Sequence, residues 1–247
     1  MEDKKQKVTI IIPTLDEKIA LIEIMPRIKK EWYDELVIVD GGSTDGTIEY
    51  CKENGHTVLM QEGKGLPLAE KTAFENSTGD IIVTFSPDGN SIPELIPDLV
   101  EKMKEGYDMV IVSRYLGSAK SDDDDIVSRF GNFMFTTFTN VLFGGKYTDA
   151  CVIFRAYTRD AVNKMKLFEM EKENFLRRKF FRLNSWELGS SIRAAKLKLK
   201  VSAIPGDEPD RISGTQRKVS YLKNGFGAIC QIFYEFFKGR DVFNDKS

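Results

Sequence analysis

The sequence predicts an α/β fold in which a mostly parallel sheet is flanked by helices. Short β-branched runs alternate with helical stretches as far as Ser113, and turn-forming residues separate them. The first run, residues 8–12, is apolar at every position, which is typical of a parallel strand buried on both faces. Such sheets bind ligands beyond the carboxyl ends of their strands.

The elements of the first half follow in a regular order. Predicted strands are residues 8–12, 35–39, 57–60, 80–85 and 108–113, and predicted helices are 16–30, 45–54, 64–77 and 93–104. The second half is less regular. It predicts a polar loop at 116–125, helices at 126–143, 159–166, 186–195 and 219–238, an extended segment at 148–156 and a strand at 198–204.

Composition excludes several classes of function. A net charge of -2 over 247 residues offers no basic surface, so we expect no nucleic-acid partner. One histidine, His56, leaves too little material for a histidine metal site or a Ser-His-Asp triad. The three cysteines are far apart, which suits free thiols in a reducing compartment. Because no apolar run reaches the roughly 20 residues of a membrane span, and the first residues are polar, we expect a cytoplasmic protein.

Three polar motifs follow predicted strands: residues 13–17 (PTLDE), 40–47 (DGGSTDGT) and 86–90 (SPDGN). Gly41 and Gly42 allow a ligand to approach the backbone. Asp88 and Asn90 project the same way from an extended segment, as oxygen ligands of a hard divalent cation would. Each motif also has a structural interpretation, namely an N-cap at Asp16, a strand-to-helix turn, and a Pro-Asp-Gly turn.

Three arginines and one glutamate complete the candidate set. Arg114 follows the fifth strand, Arg129 lies in the next helix, and Arg211 opens a basic loop. Arginine suits bidentate capture of phosphate, although each could equally be a solvated surface charge. Glu187 begins a helix, where it is either a general base or a carboxylate favoured by the helix dipole.

Taken in order, PTLDE, VIVDGGSTDGT, SPDGN and SRY resemble the motifs of family 2 glycosyltransferases with the GT-A, Rossmann-like fold. Later residues resemble the dolichol-phosphate mannose synthase branch, which uses polyprenyl phosphates: Arg129, Asp149, Phe154-Arg155-Ala156, Glu187, Arg211, Gly214 and Lys218. The resemblance covers about residues 7–220. It implies a GT-A domain at 1–220, followed by a C-terminal amphipathic helix and tail at 221–247, without a transmembrane helix.

The resemblance implies a role for each matching residue. The nucleotide-sugar pocket would include Pro13, Leu15, Glu17, Asp40, Gly65 and Asp88. Asp88 and Asn90 would hold Mg²⁺ or Mn²⁺. The acceptor phosphate would lie against Arg114, Arg129 and Arg211, and the catalytic residues would be Asp88, Arg114, Arg129 and Glu187.

The sequence departs from the family pattern at three positions. Asp16 stands where asparagine is usual, Gly41 replaces the second aspartate of the VDD turn, and Ser86 replaces the first aspartate of the metal motif. Losing a carboxylate at Ser86 lowers the local negative charge, so we expect weaker metal binding.

The expected reaction is inverting transfer of a sugar from a nucleotide-diphosphate sugar to dolichyl or undecaprenyl phosphate. A lipid phosphate has a second pKa of about 6 and is already an anion at neutral pH, so it needs no general base. Two alternatives stay open: transfer to a saccharide hydroxyl, with Glu187 as the base, and a nucleotide-sugar-binding protein without catalysis.

Aromatic residues recur at helical spacing near the end of the chain: Phe226, Ile229, Phe233, Phe236 and Phe237. This pattern suits an interfacial helix at the cytoplasmic face of the membrane, but also core packing or a homodimer contact. The acidic run at 122–125 predicts a solvated, flexible loop, because adjacent like charges repel.

Overall fold

The structure is a computed structural model that describes residues 5–169, 185–212 and 221–243. Its strands are β1 (Val8–Thr14), β2 (Glu35–Asp40), β3 (Val58–Met60), β4 (Ile81–Thr84), β5 (Met109–Ser113), β6 (Arg155–Thr158) and β7 (Val201–Pro205). Its α-helices are α1 (Lys18–Ile24), α2 (Thr47–Glu53), α3 (Leu66–Glu75), α4 (Ile96–Lys104), α5 (Ile126–Phe143), α6 (Arg159–Lys164), α7 (Trp186–Leu197) and α8 (Tyr221–Lys238). Short 3-10 helices lie at Met25–Arg27, Lys30–Trp32, Pro93–Leu95, Leu167–Glu169 and Asp241–Phe243.

Within the described residues, seven strands form one sheet in the order β3-β2-β1-β4-β6-β5-β7. Of these strands, β6 alone runs antiparallel to its neighbours, β4 and β5. The predicted mostly parallel sheet flanked by helices is therefore confirmed. The extended segment predicted at 148–156 contributes strand only from Arg155 onward, and that strand continues to Thr158.

The central strand β1 explains why the parallel pattern was readable from the sequence. Ile10, Ile11 and Ile12 are each no more than 1% exposed, although successive side chains point to opposite faces. Both faces of the strand are therefore covered, as a continuous apolar run predicts.

The first helix begins later than predicted, at Lys18 rather than Asp16. Asp16 adopts a left-handed backbone conformation, with φ of 52°, and its carboxylate accepts a hydrogen bond from the amide of Thr44. The interpretation of Asp16 as an N-cap was therefore wrong. Its side chain instead ties the turn after β1 to the turn after β2.

Helix α8 packs on α5 and α7 through a buried inner face. Ile232 is 3% exposed, and the buried Glu235 receives hydrogen bonds from Arg193 and Lys196 of α7. The division at residue 220 stays a prediction, and it falls at the end of a stretch, 213–220, outside the described residues. In the part of the chain that is described, no helix is both long and apolar enough to cross a membrane.

Candidate active site

The three predicted motifs meet at one edge of the sheet. Thr14 and Asp40 are register partners at the ends of β1 and β2, and the amide of Phe85 donates to the carbonyl of Ile11 at 3.0 Å as the chain leaves β4. Because the strands are neighbours and parallel, the turns that follow them lie side by side at their carboxyl ends.

Asp40 organises the turn after β2. It is fully buried, and its carboxylate accepts hydrogen bonds from the amides of Gly42 and Ser43 at 2.8 and 2.7 Å. The hydroxyls of Ser43 and Thr14 donate to the second oxygen at 2.5 and 3.0 Å. All these bonds lie within the protein, so the structure gives Asp40 a shaping role in the turn, while its predicted contact with a nucleotide stays a prediction.

Other predicted nucleotide-binding residues, Leu15 and Gly65, lie near the turn after β2. Leu15 is 40% exposed there. A Cβ atom added to Gly41 would lie 3.2 Å from Oε1 of Gln61 and 3.5 Å from Leu15, so a side chain at position 41 would contact both residues. The side-chain amide of Gln61 donates to the carbonyls of Gly63 and Gly65, which brings the start of α3 to the same place.

Pro13 and Glu17 flank Leu15 in the sequence. Pro13 is half-buried at the end of the strand, whereas Glu17 is buried where α1 begins. The amide of Glu17 donates to the hydroxyl of Thr47 at 3.0 Å, which connects the starts of α1 and α2. Their predicted contact with the nucleotide stays a prediction.

Asp88 of the predicted metal motif is buried and paired with an arginine. Nη1 of Arg211 lies 2.5 Å from Oδ2 of Asp88, and Nε of the same guanidinium lies 3.3 Å from Asp123. The side-chain amide of Asn90 also donates to Asp123, at 3.1 Å. A predicted phosphate ligand, Arg211, is thus in direct contact with a predicted metal ligand.

The same residues can be tested for their fit to a divalent cation. Among the residues that the structure describes, none donates a hydrogen bond to the buried Oδ1 of Asn90. That oxygen is therefore available as a ligand for a cation. The described residues contain no cluster of three acidic, histidine or cysteine side chains suited to a metal. Mg²⁺ is commonly held by one or two carboxylates together with waters and substrate phosphates, so Asp88 and Asn90 fit such an ion.

Arg114 lies at the centre of a buried ion-pair network. It donates two hydrogen bonds to Asp149, at 2.6 and 3.0 Å, and two to Glu208, at 3.2 and 3.0 Å. Burial alone would raise the pKa of Asp149, but the charge and hydrogen bonds of Arg114 hold it below its usual range. Burial raises the pKa of Glu208 despite the same guanidinium. Arg114 therefore binds carboxylates of the protein on both sides.

Arg129 and Glu187 each lie in the first turn of a helix. Arg129 is exposed in the first turn of α5, and Glu187 is half-buried in the first turn of α7. The hydroxyl of Ser185 donates to the Glu187 carboxylate at 2.5 Å, and the fully buried Arg155 donates to the Glu187 backbone carbonyl at 3.1 Å. Since Arg155 is the register partner of Thr84 at the end of β4, this contact places Glu187 at the edge that carries the motifs.

Similarity to known proteins shows which family this chain belongs to. Residues 9–166 match the family described as Glycosyl transferase family 2. The chain belongs to that family. It is a glycosyltransferase, and the family resemblance and the GT-A type of fold are confirmed.

Two relatives and one solved structure illustrate the similarity. An uncharacterized protein of Methanocaldococcus jannaschii is 32% identical over 170 residues, which are 66% of this chain and 70% of that protein. Dolichol-phosphate mannosyltransferase of Pyrococcus furiosus is 34% identical over 125 residues, 47% of this chain and 36% of the relative. Glucosyl-3-phosphoglycerate synthase of Mycobacterium tuberculosis, crystallised with Mn²⁺, UDP and phosphoglyceric acid, shares the fold, with a TM-score of 0.66 at 20% identity over 98% of this chain and 80% of that one.

The acidic run of this glycosyltransferase differs from its prediction as a solvated loop. Asp123 bonds Arg211 and Asn90, Asp124 accepts a hydrogen bond from the hydroxyl of Tyr115, and Asp125 caps α5 through the amide of Ser128. The prediction was wrong for Asp123 and Asp124, which are half-buried against donor groups of Arg211, Asn90 and Tyr115, whereas Asp125 is exposed at the start of α5.

Glu70 lies near Glu187 and Arg155 at the edge of the site, and nothing in the sequence marks it. It is fully buried on α3, and within the described residues neither of its carboxyl oxygens has a hydrogen-bond partner. Burial first, and then the negative charge of Glu187, raise the pKa of Glu70 well above its usual range, against the opposing charge of Arg155. A charged residue in a helical pattern gives no sequence signal that its side chain faces the core.

Proposed function

We propose that this glycosyltransferase moves a sugar, with inversion, from a nucleotide-diphosphate sugar to a polyprenyl phosphate. The observation that carries the proposal is the 2.5 Å contact between Arg211 and Asp88. Arg211 is a candidate ligand of the acceptor phosphate, and Asp88 is a candidate ligand of the metal that would accompany the donor. Their contact would bring the two substrates close together, and a reaction between them requires that proximity.

The names of relatives support the same acceptor. The Pyrococcus furiosus relative is a dolichol-phosphate mannosyltransferase, and an undecaprenyl-phosphate 4-deoxy-4-formamido-L-arabinose transferase of Klebsiella pneumoniae is 28% identical over 174 residues, 65% of this chain and 51% of that enzyme. Both names contain a polyprenyl phosphate. This shared chemistry favours a phosphate over a sugar hydroxyl.

The chemistry needs positioning and charge stabilisation more than proton transfer. When bound at Asp88 and Asn90, Mg²⁺ or Mn²⁺ would offset the charge that develops on the departing diphosphate. Leu15 and the turn organised by Asp40 would hold the nucleotide, and Arg129 and Arg211 would orient the acceptor phosphate. Arg114 would act mainly by holding Asp149 and Glu208 in place through its ion pairs, and not by binding the acceptor phosphate itself.

Transfer to a hydroxyl is the second candidate, and the placement of Glu187 favours it. The carboxylate begins α7 at the site edge, and the buried Arg155 fixes the backbone of this turn. A hydroxyl acceptor would need such a group within hydrogen-bond reach to remove its proton. The two candidates therefore differ in whether Glu187 is needed.

We further propose that the enzyme contacts the cytoplasmic face of the membrane through α5 and α8. The two helices pack together, and each carries exposed apolar residues. The most exposed are Ile126, Val127, Phe130, Phe133 and Val141 on α5, and Phe226, Phe233 and Phe237 on α8. Core packing does not account for these side chains, because the inner face of α8 is formed by Gln231, Ile232 and Glu235.

The acceptor assay tests the proposed function directly. Incubation with a panel of nucleotide-sugars, Mg²⁺ or Mn²⁺, and a short polyprenyl phosphate should give a lipid-linked sugar. Asp88→Ala should reduce turnover by at least about a hundredfold, because it removes a charge-stabilising ligand. Asp98→Ala, which removes an exposed carboxylate from α4, is the matched control and should leave turnover unchanged. Product with saccharide acceptors alone would overturn the proposal.

A further inference from the structure

We propose that Arg211 exchanges partners during the reaction cycle: it neutralises Asp88 before the donor binds, and moves to the acceptor phosphate once a divalent cation takes Asp88. This inference rests on the proposed function for its second step, because that step requires an anionic acceptor. The first step depends only on residues within the site.

The segment after β7 lies directly over the metal motif. The amide of Ile212 donates to the backbone carbonyl of Asp88 at 2.9 Å, directly beside the Arg211 contact. Gly89, between the two metal-motif residues, has a φ of 100°, and a Cβ atom there would lie 2.9 Å from the amide nitrogen of Ile212. Only glycine therefore lets this segment approach so closely.

The closing segment after β7 is attached to the acidic run before α5. Ser121 and Glu208 form a parallel bridge, with the amide of Glu208 bonded to the carbonyl of Lys120 at 2.9 Å and the amide of Asp122 bonded to the carbonyl of Glu208 at 2.8 Å. Arg211 and Asp123 thus lie on two joined segments that both contact the metal motif. A movement of Arg211 is expected to shift the segment after β7 and the acidic run together.

Charge makes the exchange necessary. The guanidinium of Arg211 lies at hydrogen-bond distance from one oxygen of Asp88, and the residues around it are acidic or neutral: Asp123 and Asn90. A divalent cation on the same carboxylate would stand beside this positive charge, and like charges so close repel. Arg211 must therefore withdraw, and a phosphate offers it the bidentate partner that it loses.

The exchange predicts that the two binding sites are coupled. Arg211 competes with the metal for Asp88, so its presence weakens binding of the metal with its nucleotide. An anion that draws Arg211 away should strengthen that binding, and linkage requires the reverse effect to be equal. Donor and acceptor would thus each strengthen the binding of the other.

The test measures binding rather than turnover. Mn²⁺ binding in the presence of UDP, and in a second series GDP, is followed through the loss of the electron paramagnetic resonance signal of free Mn²⁺. Arg211→Gln should bind Mn²⁺ about tenfold more tightly than the unaltered protein, which corresponds to about 1.4 kcal/mol. Arg211→Lys keeps the charge and should bind like the unaltered protein. Lys164→Gln, on α6 at the opposite end of β4, controls for net charge.

A second arm adds a short prenyl phosphate. It should raise Mn²⁺–nucleotide affinity in the unaltered protein and leave Arg211→Gln unchanged. Unchanged or weaker Mn²⁺ binding in Arg211→Gln, with an intact melting transition, would overturn the exchange, as would no Mn²⁺ binding in either protein. Failure of the second arm alone would count against the phosphate acceptor, and so against the proposed function.

Discussion

At the scale of single residues, buried carboxyl groups near the site differ in what surrounds them. Asp40 has four hydrogen-bond donors around its carboxylate, and Asp149 has a guanidinium. Within the described residues, Glu70 has neither, and Glu187 adds a second negative charge nearby. A buried acid with no partner is held in its neutral form, since the charged form would lose its hydration without compensation.

Glu70 therefore makes stability depend on pH. Below the ordinary glutamate pKa, the folded and unfolded chains both hold the proton. Above the ordinary pKa, the unfolded chain releases the proton, whereas the folded chain retains it because its pKa is raised. The free energy of unfolding therefore falls as the pH rises toward the pKa of the folded state. Glu70→Gln should remove this loss. In urea unfolding, the gain in stability of the variant over the unaltered protein should be larger at about pH 8 than at about pH 5.

Glu75→Gln supplies the control for that comparison. Glu75 lies at the end of the same helix and is exposed, so its replacement should leave the pH dependence as it was. An equal pH dependence in Glu70→Gln and the unaltered protein would show that Glu70 is solvated or paired in solution.

At the scale of elements, a buried ion cluster attaches α8 to the rest of the domain. Glu235 is 1% exposed and bonds both Arg193 and Lys196, at 2.8 and 2.7 Å, across the interface with α7. Removing one member of a buried ion cluster leaves the other charges uncompensated. The helix is therefore fixed to the domain by charge as well as by Ile232.

Glu235→Gln should destabilise the protein strongly. It keeps the size of the side chain but removes the buried charge that Arg193 and Lys196 share, and the expected loss in the free energy of unfolding is about 3–5 kcal/mol. Denaturant unfolding at neutral pH measures it. Glu101→Gln breaks an exposed ion pair with Lys104 on α4 and should cause no comparable change. A loss no larger than that of Glu101→Gln would show that the cluster does not hold α8 in place.

The order of elements was readable from the sequence, but the sheet partners of β6 were not. Continuous apolar runs identify β1, β2, β4 and β5, because parallel strands are buried on both faces. The strand β6 is short and carries Arg155, whose buried guanidinium is satisfied by carbonyl and hydroxyl groups far along the chain. Such pairing depends on tertiary contacts that local pattern does not encode.

The candidate site was predictable to a similar extent. Turn chemistry at strand ends placed Asp40, Asp88 and Asn90 at one edge, as the structure has them. The ion pairs were not predictable, since Asp123 and Arg211 are 88 positions apart and Arg114 and Glu208 are 94 apart. The functional roles of all these residues stay predictions.

At the scale of the whole molecule, exposed apolar residues are concentrated on two packed helices. Phe133 is 68% exposed on α5 and Phe237 is 80% exposed on α8. Exposed basic residues, Lys238 and Arg240, follow at the end of α8. Apolar residues with basic neighbours suit the interface of an anionic membrane.

Vesicle binding tests this surface. The protein should sediment with vesicles of phosphatidylcholine and phosphatidylglycerol, and Phe133→Ser combined with Phe237→Ser should reduce the bound fraction severalfold, because the buried apolar area supplies the affinity. Ile22→Ser removes an apolar side chain that is 50% exposed on α1, and it is the control. Equal sedimentation of all variants would contradict membrane contact through α5 and α8. A protein that forms a dimer, and loses it in the double variant, would assign the surface to a homodimer.

The central claim is that the acceptor is a phosphate, and a matched pair of lipids tests it most directly. A polyprenyl phosphate and the corresponding polyprenol differ only in the phosphate that Arg129 and Arg211 would bind. Given the nucleotide-sugar that the enzyme accepts, with Mg²⁺ or Mn²⁺, the phosphate should yield a lipid-linked sugar, and the alcohol should yield none. Glu187→Gln should leave this product unchanged, since the phosphate needs no base. Product from the polyprenol, lost in Glu187→Gln, would contradict the account.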